Sequence, residues 1–147
     1  MMAKANSNSA SDKNTLTYPV PRILIVENDL ALAKMLSELF SFYGYAYKIY
    51  HDAEEILPLI KSFNPDLVLL DYLLSLVNGG ELCSQIKKNK ETRHLPVIIY
   101  SAFPKVMMSL GDYGCDEFIA KPFDLDYLMK KIDKLLNRQL SDSQKFY

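Results

Sequence analysis

The chain has 147 residues, of which 49% are hydrophobic and 24% are charged, and its formal net charge is −1. This length suits one domain, and the composition excludes a largely disordered chain, a collagen-like repeat and a coiled-coil rod. The small net charge gives no overall attraction to nucleic acid or to anionic membranes. The sequence shows neither an apolar run of membrane-spanning length nor the apolar core of a secretory signal, and its two cysteines are too few for a disulfide framework. We therefore expect a cytoplasmic protein that binds neither nucleic acid nor membrane directly.

Both ends of the chain differ in composition from the segment between them. Residues 1–19 are rich in Ser, Asn, Thr and Lys and show no hydrophobic periodicity, and residues 141–147 are similar. We predict flexible tails at both ends. The segment 20–140 is then a single domain.

Five short apolar runs alternate with five helix-like segments inside that domain. The predicted strands are residues 22–26, 46–50, 66–71, 97–101 and 117–121. The predicted helices are residues 32–43, residues 52–63, a segment containing Leu82, Cys83 and Ile86, residues 105–113, and a segment that begins after Asp124. Apolar strands joined by helical crossovers indicate a parallel sheet covered on both faces, which is a doubly wound α/β domain.

Several residues are expected to set the helix boundaries. Asp29 is a candidate N-cap for the first helix, and Gly44 is predicted to end it. Asp52, with Glu55 three residues later, is predicted to open the second helix as a capping box. Pro58 would then lie inside that helix, at a cost of about 3 kcal/mol unless the helix kinks or begins later.

Polar residues stand where four of the predicted strands end. Glu27, Asn28 and Asp29 follow the first strand, and the third, fourth and fifth strands end at Asp71, Ser101 and Lys121. Ligands of open α/β sheets bind outside the carboxyl ends of the strands, near the switch in strand order. Each of these residues alone has an ordinary explanation as a cap, a turn or a surface charge. Together they predict a site at one edge of the sheet.

Four segments, in this order and spacing, resemble the receiver domain of bacterial response regulators in two-component signalling. They are residues 23–29 (ILIVEND), 65–71 (PDLVLLD) with Gly79 eight residues further on, 96–102 (PVIIYSA) and 118–123 (FIAKPF). The likeness extends from about Pro21 to Arg138. It implies a flavodoxin-like sheet with strand order 2-1-3-4-5 and five helices, as in a stand-alone, chemotaxis-regulator-like receiver.

The resemblance also implies a role for each residue at the strand ends. Asp71 would accept a phosphoryl group from a histidine kinase or a phosphotransfer protein. Mg²⁺, for which Mn²⁺ could substitute, would be held by Glu27, Asn28, Asp71 and the main-chain carbonyl of Leu73. Ser101 and Lys121 would contact the phosphoryl group, Phe118 occupies the aromatic switch position, and Lys121-Pro122 resembles the family's cis peptide. An aspartate is a nucleophile only when ionised, and a nearby lysine and a divalent cation favour that form.

Four positions are notable against the family pattern. Asn28 stands where an aspartate is usual, which removes one formal charge and predicts weaker Mg²⁺ binding. Leu73 and Phe103 lie where family members tune phosphoryl lifetime, and both are bulky and apolar, so we expect a long-lived phosphorylated state. Phe118 has no hydroxyl group, and both a packing-based switch and ordinary core filling remain open for it.

Two further clusters concern partners. The resemblance places the output surface on the fourth helix, the fifth strand and the fifth helix, where Tyr127 and Lys130 lie. Apolar residues at the fourth predicted helix fall on more than one helix face: Phe103, Val106, Met107, Met108 and Leu110. They indicate either a surface that binds a protein partner or a second copy of the chain, or a shifted helix register that buries more of them. The basic residues Lys87, Lys88, Lys90 and Arg93 are interrupted by Glu91, and we interpret them as a solvated helix end.

The sequence therefore predicts a single-domain response regulator, a signalling switch rather than an enzyme, that assists its own phosphorylation and dephosphorylation. The alternative is a receiver-fold interaction module that works without phosphorylation, and Asn28 and Phe118 support it. A flavodoxin-like enzyme or nucleotide-binding protein is a third class. Two features argue against this third class: no glycine-rich loop follows the first strand, and the acidic residues there would repel the phosphate of a bound nucleotide.

Overall fold

The computed structural model of the chain describes residues 19–103, 105 and 113–144. These residues form five strands: β1 (Arg22–Val26), β2 (Ala46–Tyr50), β3 (Leu67–Asp71), β4 (Val97–Ser101) and β5 (Glu117–Ala120). The four helices among them are α1 (Leu30–Phe42), α2 (Leu57–Phe63), α3 (Gly79–Lys88) and α4 (Leu125–Gln144).

The strands form one parallel sheet in the order β2-β1-β3-β4-β5. This order confirms the predicted doubly wound architecture. The order reverses between β1 and β3, and the ends of these two strands carry the predicted acidic residues. The fourth of the five predicted helices, at 105–113, falls mostly on residues 106–112, which lie outside the described residues. The described part of the chain accordingly has four helices.

The sheet is covered on both faces because side chains alternate along each strand. One face packs against the segment 53–60 and α3, in a cluster containing Leu24, Val26, Val68, Leu70, Val97, Ile99, Ala53, Ile56, Ile60, Leu82, Cys83 and Ile86. The other face packs against α1 and α4, in a cluster containing Ile23, Ile25, Leu67, Leu69, Ile98, Tyr100, Ile119, Leu36, Phe40, Leu128, Met129, Ile132 and Leu135. Two buried layers therefore fix the strands in place, and the strand ends are left to carry polar groups.

The capping residues of α1 are those that the sequence predicts, although the helix runs from Leu30 to Phe42 and not over 32–43. Asp29 is the N-cap, and its side chain accepts hydrogen bonds from the N–H groups of Ala31 and Leu32. Gly44 follows the helix with a φ of 74°, the left-handed conformation that glycine adopts without steric cost. Asp124 likewise accepts a hydrogen bond from the Asp126 N–H at the start of α4.

The predicted start of the second helix was wrong. The helix begins at Leu57, Pro58 lies in its first turn, and Ile56 caps it with no side-chain hydrogen bond. Proline is well tolerated there because the N–H groups of the first turn have no intrahelical partner. Asp52 is used elsewhere, since its carboxylate accepts from the N–H groups of Ala53, Ser75 and Leu76.

The interpretation of the basic cluster as a solvated helix end was wrong for Lys87. Its side chain is only 18% exposed, and its ammonium lies 2.8 Å from a carboxylate oxygen of Asp116. It also donates to the Leu95 carbonyl at 2.7 Å. Lys87 therefore ties the end of α3 to the chain on both sides of β4.

Among the described helices, none is both long and apolar enough to cross a membrane. The last of them, α4, extends to Gln144, past Leu140, where the sequence predicts the C-terminal tail to begin. Residues 1–18 and 145–147, which belong to the predicted tails, lie outside the described residues.

Gly79 is required at the start of α3, because a Cβ there would lie 2.3 Å from the main-chain oxygen of Asp71. We expect Gly79→Ala to lower the free energy of unfolding by about 3 kcal/mol, through overpacking against the backbone of β3. Urea denaturation measures this loss. Gly44→Ala is the matched control: a Cβ there meets nothing within 4 Å, so only the left-handed backbone costs it about 1 kcal/mol. Equal losses in the two variants would contradict the packing argument.

Cys83 is predicted to be unreactive in the folded protein, because burial raises the pKa of its thiol to about 12. An ordinary cysteine, with a pKa of about 8.5, is partly ionised at pH 8 and reacts with aromatic disulfides. Cys115→Ser leaves Cys83 as the one remaining cysteine. We expect that variant to react slowly when folded and completely in denaturant. Equal rates in the two conditions would show that Cys83 is accessible.

Candidate functional site

The carboxyl ends of the strands bring Glu27, Asp71 and Lys121 together. Asp71 ends β3, while Glu27 and Lys121 directly follow β1 and β5. The Lys121 Nζ lies 3.4 Å from Asp71 Oδ2 and 3.6 Å from Glu27 Oε2. One ammonium group thus lies between two carboxylates, as the convergence of strand ends predicts.

Asp71 is held in a defined orientation at the end of its strand. The residue is 4% exposed. Its Oδ2 faces Lys121, and its Oδ1 accepts a hydrogen bond from the Leu73 N–H at 3.2 Å. The turn that follows is closed by the Gly79 N–H, which donates to the Tyr72 carbonyl at 2.9 Å. The end of β3 positions the Asp71 carboxylate, and the close approach of Gly79 to the Asp71 main-chain oxygen fixes the backbone at this point.

Glu27 is fully buried, and both of its carboxylate oxygens have partners. Oε1 accepts from the Asp29 N–H at 2.9 Å, and Oε2 accepts from the hydroxyl of Tyr100. Burial raises the pKa of Glu27 above its ordinary value, and the nearby Asp71 carboxylate raises it further. The Tyr100 hydrogen bond and the Lys121 charge act in the opposite direction. Glu27 is thus an anchored acid, with its orientation set by the protein.

The sequence analysis treated Tyr100 only as a strand residue. Its ring lies in the buried layer between the sheet and α4, in edge contact with Phe123, and its hydroxyl reaches Glu27. The Lys121 Nζ lies 4.7 Å from the centre of the same ring. Burial and the neighbouring Glu27 charge raise the pKa of Tyr100 well above its ordinary value. The sequence did carry a signal for this role: a tyrosine stands among the aliphatic residues of β4, one position before the strand ends. A buried tyrosine hydroxyl usually has a hydrogen-bond partner.

Asn28 contacts the loop that follows β3, residues 72–78, which we call the β3–α3 loop. Its Nδ2 donates to the main-chain oxygen of Leu73 at 3.0 Å. The Asn28 side chain is exposed, unlike that of Glu27 beside it. Asp52 holds the same loop from the other side, through the N–H groups of Ser75 and Leu76 at 3.2 and 3.4 Å. The family resemblance places Asn28 and the Leu73 carbonyl at one site but indicates no hydrogen bond between them, and sequence patterns gave no indication of the Asp52 contacts.

Ser101 and Phe118 occupy different surroundings. Ser101 is buried at the end of β4, and its hydroxyl oxygen accepts from the Phe103 N–H at 3.2 Å. Its carbonyl accepts from the Lys121 N–H at 2.8 Å, which ties the two strand ends together, and the Lys121-Pro122 peptide is cis. Phe118 is partly buried and packs against the core cluster on the α3 side.

The oxygen atoms near Asp71 match the chemistry of Mg²⁺ binding. Mg²⁺ prefers oxygen ligands and needs only one or two carboxylates beside water and phosphate oxygens. Asp71 supplies a carboxylate, and Asn28 and Leu73 supply an amide and a main-chain oxygen. Among the described residues no group of three or more His, Cys, Asp or Glu side chains could hold a metal. This donor set suits Mg²⁺ and carries a low negative charge. The Leu73 oxygen already accepts a hydrogen bond from Asn28 Nδ2.

Solved structures that superimpose on this chain include receiver domains and response regulators. A response regulator receiver domain protein (CheY-like) from Methanospirillum hungatei superimposes with a TM-score of 0.77 and 27% identity, over 84% of this chain and 99% of that one. The response regulator TrrA from Thermotoga maritima, solved in complex with Mg²⁺-BeF, gives a TM-score of 0.71 and 29% identity, over 79% of this chain and 99% of that one.

Curated relatives are similar in sequence. A probable transcriptional regulator ycf29 from Pyropia yezoensis is 35% identical over 121 residues, and the response regulator MprA from Mycolicibacterium vanbaalenii is 34% identical over 123 residues. The alignments cover 81% and 82% of this chain but 54% and 52% of those proteins, so the chain spans about half of their length. Residues 23–133 match the response regulator receiver domain family. With this match, this fold and these strand-end residues, the chain belongs to the family of response regulator receiver domains, the signalling switches of two-component systems.

Proposed function

We propose that this domain is switched by phosphorylation of Asp71, with a histidine kinase or a histidine phosphotransfer protein as the donor. The observation that carries the proposal is the buried Asp71 carboxylate 3.4 Å from the Lys121 ammonium, at the strand-end edge where ligands of such sheets bind. The close cation favours the ionised, nucleophilic form of the acid.

In the proposed reaction an oxygen of Asp71 forms a bond to phosphorus while the bond from phosphorus to the donor imidazole nitrogen breaks. The electron pair of the broken bond stays on that nitrogen, and the other imidazole nitrogen carries a proton, so the ring leaves as neutral imidazole. Lys121 neutralises charge on the transferred group, and the Ser101 hydroxyl, which now accepts from the Phe103 N–H, turns to donate to a phosphoryl oxygen. Mg²⁺, or Mn²⁺ in its place, would add charge neutralisation when held by Glu27, Asn28, Asp71 and the Leu73 carbonyl.

The acyl phosphate adds negative charge and strong acceptor oxygens, and this local change has to be passed to a partner surface. We place that surface on β5 and α4, together with the predicted helix at 105–113, for a downstream protein or a second copy of the chain. Tyr127 supports this, because it is a large apolar residue of α4 that is 46% exposed. Phe118 in β5 packs against the core cluster on the α3 side, and a change in its packing would couple this surface to Ser101.

Asp71→Asn tests the acceptor. After incubation with acetyl phosphate and Mg²⁺, intact mass spectrometry of the wild-type protein should show a gain of one phosphoryl group, and the variant should show none. A chelator should abolish the gain. Asp126→Asn, the same substitution at an exposed position of α4, should leave the gain unchanged. No gain in the wild type at any Mg²⁺ concentration would contradict the proposal and favour a receiver-fold interaction module that works without phosphorylation.

Leu73→Asn tests the proposed lifetime of the phosphorylated state. Leu73 and Phe103 are 48% and 53% exposed, and their N–H groups bond to Asp71 and Ser101, so both side chains are positioned at the rim of the site. We propose that they hinder the water that attacks the acyl phosphate. Dephosphorylation, followed by loss of mass over time after the donor is removed, should be faster in Leu73→Asn. Leu73→Met, which stays apolar, should keep the wild-type rate. Equal rates in all three proteins would disprove the shielding role.

A further inference from the structure

We propose that Asn28 is a positioning residue that clamps the β3–α3 loop through the Leu73 carbonyl, and that a divalent cation can bind the Asn28 amide oxygen and the Leu73 oxygen together only when this hydrogen bond breaks. The clamp is independent of the function proposed above. The competition with a cation rests on the metal site of that proposal.

The orientation of the Asn28 amide follows from hydrogen-bond chemistry. The Leu73 main-chain oxygen can only accept, so the amide group that faces it at 3.0 Å must be the NH₂ and not the oxygen. The two polar atoms of a planar amide point in different directions. Asn28 Oδ1 therefore does not face the Leu73 oxygen. A cation bound to both oxygens requires the amide to rotate, and this rotation breaks the hydrogen bond.

An aspartate at position 28 could not form this clamp. A carboxylate has no donor when ionised, and it would face the Leu73 oxygen as a second acceptor. It would also add a negative charge near Asp71, whose carboxylate accepts from the Leu73 N–H. With an aspartate at position 28, a cation would have to link the segment after β1 to the β3–α3 loop at this point. The neutral Asn28 amide links them through a hydrogen bond, without a cation.

The other contacts of the loop do not compete with a cation in this way. Asp52 bonds to the N–H groups of Ser75 and Leu76, and N–H groups are not metal ligands. Asn78, the N-cap of α3, accepts from the Glu81 N–H within its own helix. Asp71 Oδ1 accepts from the Leu73 N–H, and this bond does not have to break when a cation binds another lone pair of the carboxylate. Asn28 is thus the described side chain that donates to a proposed metal ligand in the loop, and substitution at this position should alter stability in a Mg²⁺-dependent way.

The test compares the 147-residue wild-type chain with Asn28→Ala, Asn28→Asp and Asn78→Ala, each with a chelator and with Mg²⁺. The readouts are the Tm and the NMR chemical shifts of the amides of residues 72–78. With chelator, both Asn28 variants should melt about 2–4 °C below the wild type, as expected for the loss of one exposed hydrogen bond, and their loop amides should shift. Mg²⁺ should raise the Tm of Asn28→Asp more than that of the wild type. Asn78→Ala also loses one hydrogen bond, but its response to Mg²⁺ should equal that of the wild type.

Each result decides one part of the proposal. Wild-type Tm and wild-type loop shifts in both Asn28 variants with chelator would overturn the clamp. An equal rise in Tm with Mg²⁺ in Asn28→Asp and in the wild type would overturn the competition. If no protein responds to Mg²⁺ while the chelator results are as expected, the metal site of the proposed function fails and the clamp stands.

Discussion

Glu27 and Asp71 are two carboxylates buried at the same edge of the sheet, and the Lys121 ammonium between them makes this arrangement tolerable. A buried charge without a partner is strongly destabilising, and two like charges in one site disfavour each other. Lys121 lies 3.6 and 3.4 Å from the two acids, and every described buried side-chain polar atom has a hydrogen-bond partner. The position of Lys121 in turn depends on β5 lying beside β4, which the hydrogen bond from Lys121 to the Ser101 carbonyl fixes.

Tyr100 connects this polar edge to the apolar core. Its ring packs in the layer between the sheet and α4, while its hydroxyl bonds to Glu27. The orientation of Glu27 therefore depends on packing as much as on charge. Asp71 is fixed differently, by the Leu73 N–H and by the close approach of Gly79 to its main chain. The two acids are held rigidly, whereas Asn28 beside them is exposed and contacts a loop.

Strand-end residues were predictable because strand periodicity and the topology of parallel sheets place them with little help from distant contacts. The start of α2 was not, since a capping box is a local pattern and Asp52 instead bonds to the N–H groups of Ser75 and Leu76, distant in sequence. Lys87 was misjudged for the same reason: its partner Asp116 is 29 residues away. Tyr100 and the Asn28–Leu73 bond also depend on side-chain contacts between distant segments, which hydrophobic patterns do not encode.

The central claim is that Asp71 and Lys121, at this edge of the sheet, form a site for a phosphoryl group. The most direct test is binding of beryllofluoride, a phosphoryl mimic, followed by ¹⁹F NMR in the presence of Mg²⁺. The wild-type protein should give bound ¹⁹F signals, and the amide signals of Asp71, Ser101 and Lys121 should shift with them. Asp71→Asn should give neither change. A bound signal that persists in Asp71→Asn, or no bound signal in the wild type, would contradict the account.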